Sequence, residues 1–293
     1  MAGSSPTVAQ RRLARALRRL RANADLTIDQ VAEKFDLSAS TISRLETAQA
    51  SARKGDVREL LDIYEVTGTQ REELLQLAGQ SRRQPWWQEY KDLPETAAID
   101  LEAEALVIRQ FAAQLVPGIL QTEAYAREVL HFVLGDEEPE SRERHLRLRM
   151  NRQALFAERK SPKHEIVLDE AVLRRAVGGP QVMQAQVERL IEASKLRSVT
   201  LQVLPFATGA HAAMDSQFTI YSYQSSDSSE VVYEDPDVVF LENLGGGAFI
   251  EDRNMTERYN RTFEQLRSIA SDPAESTQTL ASIRDELRKP ERG

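Results

Sequence analysis

Between residues 27 and 54 the chain sets short hydroxyl side chains and long cations at close spacing: Thr27, Ser38, Ser40, Thr41, Ser43, Arg44, Arg53 and Lys54. Small hydroxyls at a helix start let its N–H groups approach a phosphate or a base edge, and Arg44, one turn beyond Ser40, is long enough to reach a guanine. Ala39 offers only a methyl, which suits the methyl of a thymine. Arg53 and Lys54 follow in a predicted loop, where two readings stand open: cations for backbone phosphates, or ordinary solvated charges.

A second polar set lies far along the chain: Gln121, Thr122, Arg149, Arg152, Gln153, His211 and Tyr233. Such donors suit an anionic ligand or an acidic peptide, and they equally serve to cap helix ends and bridge elements. No catalytic constellation is legible. His131, His145, His164 and His211 show no i, i+4 pairing and no H-E-x-x-H, and there is no cysteine. Gly245-Gly246-Gly247 lacks the phosphate-loop pattern and reads as a turn. The acid pairs Asp169-Glu170 and Glu234-Asp235 lack a convergent partner, and Asp169 also reads as a helix N-cap. The expectation is therefore no enzyme, no metal and no cofactor; the enzymatic alternative would rest on Arg152 or Glu234.

The elements that must position the first set can be read from periodicity. Leu13, Leu17, Leu20 and Ala24 form one face of a helix over Val8–Ala24, with Arg11, Arg15 and Arg18 on another. Thr27 followed by Gln30 is a capping box opening a helix over Ile28–Phe35, and Ser38 caps a third helix through Glu46. Two short helices joined by a tight turn describe a helix-turn-helix. Asp36 stands where the turn needs a near left-handed backbone, and Ala32 gives the small contact for the helix crossing. Val31, Phe35, Ile42 and Leu45 supply the apolar seal, and helices over Gly55–Val66 and Thr69–Ala78 complete a bundle.

Residues 80–100 hold Trp86, Trp87 and Tyr90 and read as a docked connector rather than a flexible linker. Beyond them, predicted helices are Leu101–Ala113, Thr122–Phe132, Ser141–Glu158, Glu170–Val177, Pro180–Lys195, Met255–Ala270 and Ala274–Arg288. Predicted strands are His164–Leu168, Val199–Leu204, Phe218–Tyr223, Val231–Tyr233 and Val238–Leu241. Strands clustered late between helices predict an α+β domain with a mixed or antiparallel sheet, not a regular βαβ alternation. The organisation predicted is 1–79, a mainly α helix-turn-helix bundle; 80–100, the connector; and 101–293, a larger α+β domain for ligand or partner binding and dimerisation.

Charge sharpens this division. The 293 residues carry a formal net charge of −8, which taken alone argues against a polyanion as partner. Residues 1–58, however, hold 11 Lys+Arg against 6 Asp+Glu, and residues 84–293 hold 24 against 35. A basic module on an acidic body suggests an interaction head. With no long apolar run and no apolar leader, the expectation is a soluble cytoplasmic protein that does not enter a membrane.

The segment VAEKFDLSASTISRLE (31–46) resembles the helix-turn-helix of the Cro/phage-repressor class, the xenobiotic-response-element (XRE) type of transcriptional regulator. The resemblance covers residues 8–79 and implies that Ala39, Ser40 and Arg44 meet bases, while Thr27 and Thr41 meet phosphates. It departs at Asp36, where Gly is usual, and at Ile28, where Gln often touches DNA.

The segments LEAEA (101–105), VPGILQTEAYAREVL (116–130), RMNRQALF (149–156), VLDEAVLRRAVGG (167–179), LQVLPFATGAH (201–211) and VVYED (231–235), together with Phe218, resemble an actinobacterial domain of poorly defined function, DUF5753. That resemblance implies an antitoxin-like regulator, often encoded beside a small partner protein. The leading expectation is a DNA-binding transcriptional regulator acting on a double-stranded operator. One module makes few contacts, so a homodimer on two half-sites is expected. The alternative is a protein that mainly sequesters a small partner and regulates its own gene.

Overall fold

In a computed structural model of the chain, residues 8–34, 37–50, 52–80, 86–135, 137–156, 162–223, 237–242 and 247–288 are described. Phe35, Asp36, Tyr233, Glu234 and the predicted strand over 231–233 fall outside them, as do both chain ends. The chain divides into two compact units, the first ending at Glu104 and the second starting at Ala105.

The first unit begins with α1 (Val8–Asn23), α2 (Ile28–Lys34), α3 (Ala39–Glu46), α4 (Lys54–Ile63) and α5 (Gly68–Gln80). Its core joins Leu13, Leu17 and Leu20 of α1 to Val31, Ile42, Leu45, Val57, Leu60, Leu61 and Leu74. Three of these helices end in the same motif. After α1, α3 and α4 the chain turns through Asp25, Ala48 and Glu65, all left-handed at φ 53°, 58° and 55°. The amide following each one bonds back to a carbonyl of the last turn: Leu26 to Arg21, Gln49 to Arg44, Val66 to Leu61. This closure usually employs glycine, and a side chain in that conformation costs about 1 kcal/mol.

The connector folds rather than hangs. Trp86–Tyr90 form a short 3-10 turn, with Trp86 edge-on to Trp87 and Tyr90 at centroid distances of 5.6 and 6.2 Å. It leads into α6 (Thr96–Glu104), which packs against α1. The Trp87 indole donates to Asp100 Oδ1 at 2.7 Å. Burial raises the Asp100 carboxyl above the usual range, opposed by this hydrogen bond and by the Arg11 cation.

Here the reading of residues 101–113 as one helix is overturned. α6 stops at Glu104, and Val107–Ala112 form β1. Two helices, α7 (Glu123–Val133) and α8 (Pro139–Phe156), lead to β2 (Lys163–Asp169). Then α9 (Glu170–Arg174, shorter than the expected Glu170–Val177) and α10 (Gly179–Ala193) lead to β3 (Val199–Leu204). The remaining elements are β4 (Phe218–Ser222), β5 (Val238–Leu241), β6 (Ala248–Ile250), α11 (Arg253–Ile269) and α12 (Pro273–Leu287).

The strands form one mixed sheet in the order β3-β2-β1-β4-β5-β6. β1 pairs parallel with β2, β2 parallel with β3, and the rest run antiparallel. The sheet is mixed, as the α+β reading expected; its parallel half is made by helical crossovers from β1 to β2 and from β2 to β3. Successive residues of β2 point to opposite faces. Ile166 and Leu168 join a core with α10 and α12, while Val167 joins Phe111, Phe218, Ile220 and Val239 under Phe263 and Leu266 of α11.

Candidate nucleic-acid interface

The helix-turn-helix presents its polar residues outward from a sealed base. Val31 and Ile42 are fully buried and Leu45 nearly so, which fixes the faces of α2 and α3. The capping box at Thr27 forms reciprocally: the Thr27 amide donates to Gln30 Oε1 at 2.8 Å, and the Gln30 amide donates to Thr27 Oγ1 at 3.2 Å. Thr27 stays exposed, with its hydroxyl proton still available to an outside acceptor.

Ser38 caps α3 by accepting from the Thr41 amide at 3.2 Å. Its hydroxyl also lies 2.9 Å from Ser40 Oγ and 2.8 Å from Thr41 Oγ1. Three hydroxyls therefore cluster at the helix start, where unpaired amides favour negative charge. Ala39, Thr41 and Ser43 are half-buried, and Ser40 and Arg44 are exposed. Two residues lie differently from the loop expectation: Arg53 is the N-cap of α4, and Lys54 is its first residue. Both remain exposed, and Arg53 makes no side-chain cap.

Sequence reading missed the pair that holds this face together. Arg21, near the end of α1, donates from Nε and Nη2 to the two carboxylate oxygens of Glu46 at 2.7 and 2.9 Å. Its Nη1 donates to the Leu26 carbonyl at 2.8 Å. The hydrogen bond with Glu46 raises the Arg21 pKa further above its ordinary value, against the opposing effect of burial. Beside the pair Tyr64 is buried, its hydroxyl without a hydrogen-bond partner among the described residues, and burial pushes its pKa up. A signal for the pair exists in the sequence. Arg21 continues the Leu13–Leu17 stripe by one turn, and Glu46 follows Ile42 by one turn, so opposite charges interrupt two apolar faces.

The second polar set separates. Gln121, Thr122, Arg149 and Gln153 come together around the 116–122 loop, with their polar groups directed at it. Gln121, only 2% exposed, donates to the Val116 carbonyl at 2.7 Å and accepts from Arg149 Nη1 at 2.9 Å. Gln153 donates to the carbonyls of Gly118 and Gln121 at 2.9 and 2.7 Å. Thr122 caps α7, accepting from the Tyr125 amide. Gln186, absent from the sequence-derived set, completes the clamp: it accepts from the Thr122 amide and donates to the Leu120 carbonyl, both at 2.8 Å.

Arg152 lies near this loop, since a Cβ on Gly118 would meet its Nη1 at 3.9 Å, and its charge also bears on His164. His211 has other partners: its ring lies edge-on to Phe111 at 5.5 Å, its Nε2 is 3.7 Å from Asp169 Oδ2, and its Nδ1 accepts from the Ala213 amide. Tyr233 lies outside the described residues. Among the described residues no group of three or more His, Cys, Asp or Glu could hold a metal ion, and no helix is long and apolar enough to cross a membrane.

Comparison with known families gives two matches. A helix-turn-helix domain model covers residues 12–74. A model for a domain of unknown function, DUF5753, covers residues 96–282, more than half of the chain. The chain belongs to the DUF5753 family. No curated protein and no solved structure matches it. The helix-turn-helix match, with the exposed cap of α3 behind it, supports a DNA-binding regulator. The DUF5753 match starts at residue 96, the first residue of α6. By its contacts, however, α6 belongs to the compact unit of the helix-turn-helix.

Proposed function

We propose that this DUF5753 protein is a sequence-specific transcriptional regulator of the XRE type that reads the major groove with α3. The observation that carries the reading is Arg44. It is exposed, and its guanidinium makes no hydrogen bond or ion pair among the described residues. It stands on a helix whose opposite face is sealed by Ile42 and Leu45. Arg44 and Ser40 meet base edges, Ala39 meets a thymine methyl, and Ser43 lies beside them. Thr27, Ser38, Thr41, Arg53 and Lys54 hold phosphates and set the register.

One such module makes few base contacts, so the regulator acts as a homodimer on two half-sites about one helical turn apart, or a multiple of it. The DUF5753 domain receives the signal, a ligand or a small protein encoded by a neighbouring gene. Its acidic excess favours a basic partner over the operator. No catalysis is assigned to it, and the setting is the cytoplasm.

The test is selection of duplexes from a randomised pool by the full-length chain, followed by binding of the recovered operator to Arg44→Ala. The variant should lose about 1–3 kcal/mol of operator affinity and accept substitutions at one base position. Equal operator binding by wild type and variant would remove Arg44 from base reading.

A further inference from the structure

We infer that the outer surface of the loop over residues 205–217 is a docking site for a protein segment whose apolar side chains are flanked by lysine or arginine. The inference rests on the reading of the DUF5753 domain as the part that receives the signal, and it chooses a protein over a small ligand. The choice follows from topology. β3 and β4 are consecutive in the chain, but β2 and β1 stand between them in the sheet. Their connection therefore crosses the carboxyl ends of β2 and β1, where parallel strands of an open sheet ordinarily leave a crevice for a small ligand.

Here the loop fills that crevice. The Phe206 amide donates to Glu170 Oε2 at 3.0 Å, just beyond the end of β2. His211 stands between Asp169 of β2 and Phe111 of β1, with its side chain only 8% exposed. Ala213 joins the core beside Phe111 and Phe218. Bonds within the loop fix the rest: the Thr208 amide donates to the Pro205 carbonyl, the Gly209 amide to the Phe206 carbonyl, and the Ala213 amide to His211 Nδ1.

The other side of the loop is apolar and open. Phe206 is 58% exposed and Met214 70%, and Ala207, Ala210 and Ala212 are exposed between them. Surface connections are ordinarily polar at such positions. An apolar loop already held in one shape loses little conformational entropy when a partner covers it. Charge then defines the partner. From Ser198 to Asp252 the chain has no lysine or arginine, against nine aspartates and glutamates. Asp215, beside Met214, is exposed, and Arg174 is already engaged by Glu170 and Glu286. Such a stretch repels both DNA and a second copy of itself, and favours a cationic segment.

The test selects peptides from a displayed pool of random sequences with the full-length chain. Recovered peptides are synthesised and titrated against wild type, the double variant Phe206→Ser/Met214→Ser, and the control Phe132→Ser, which removes an aromatic ring 78% exposed at the end of α7. The peptides should carry apolar residues flanked by Lys or Arg and bind more weakly at high salt. Their affinity should fall about tenfold or more on the double variant and stay at the wild-type value on the control. Both substituted side chains are exposed, so the double variant should melt with wild type; should it not fold, Met214→Ser alone decides, by loss or retention of affinity.

Peptides that bind the double variant undiminished, peptides rich in Asp or Glu, or a pool that yields no binder overturn the inference. So does a wild-type dimer that the double variant turns into monomers, since the face then belongs to a second copy. A peptide that binds the loop and leaves operator affinity unchanged supports the surface but overturns the domain's part in control, so the two readings fail separately.

Discussion

The start of α3 and the 116–122 loop are both rich in hydroxyl, amide and guanidinium groups, yet they use them in opposite directions. At Ser38–Arg44 the backbone is held by caps and an apolar seal, and Ser40 and Arg44 project outward. At 116–122 the loop has little regular structure of its own, so Gln121, Gln153 and Gln186 supply the hydrogen bonds that its buried carbonyls and amides require. The lesson is that a polar motif becomes available for recognition when its backbone is satisfied by something else. Where a chain must enter the core without a ladder or helix, polar side chains become its scaffold.

Substitutions that move one property and leave the other can break this contrast. The largest effect should come from Gln121→Leu, which leaves the Val116 carbonyl and part of the Arg149 guanidinium without their partners. We expect a loss of about 3–4 kcal/mol in unfolding free energy by denaturant titration, with operator binding by the remaining folded protein unchanged. A loss of operator binding without a loss of stability would reverse the assignment of the clamp.

Next in size is a pH effect confined to the second unit. His164, buried in β2, has its pKa lowered to about 4, chiefly by desolvation and further by the Arg152 charge. The unfolded chain protonates this ring near pH 6.5 and the folded one only near 4, so between these values the unfolded state binds more protons. Stability should therefore fall as pH drops from 6.5 to 4, by up to about 3 kcal/mol from this group, and flatten below. Comparison of His164→Phe with wild type across that window should show a shallower slope; an identical slope would contradict the burial argument.

The smallest effect belongs to the first unit and has the opposite sign. Ala48→Gly relieves the left-handed strain at the exit of α3 and should stabilise by about 1 kcal/mol, read as a small rise in Tm. Glycine that destabilises there would show that the Ala48 methyl, buried in the bundle, contributes more than its strain costs.

Much of this contrast was legible in the sequence, and unevenly so. The caps at Thr27 and Ser38 and the apolar stripes fixed α1 to α3 closely because local hydrogen bonds and periodicity agree there. β1 was not legible. LEAEALVIRQFAA carries strong helix formers and apolar residues at near-helical spacing, while its Val107-Ile108 pair favours a strand only once β2 and β4 flank it. Losing that strand also hid the parallel half of the sheet. Three-residue β6 is too short to show a period at all. The Gln121 cluster was found as a set of residues, but its direction depends on which carbonyls lie within reach. Likewise Arg21 and Glu46 lie 25 positions apart, and only the fold makes them neighbours.

The placement of α6 bears on inheritance. A recombination that joined a DUF5753 domain to a new head at residue 96 would carry α6, with Ala98, Ile99 and Leu101 evolved for burial, away from the α1 it packs on. The head would in turn lose the Asp100 carboxylate that receives the Trp87 indole. Heads and domains of this kind are therefore expected to exchange with α6 on the side of the head, at a joint near residue 105, and hybrids cut at 96 should be the ones that fail to express.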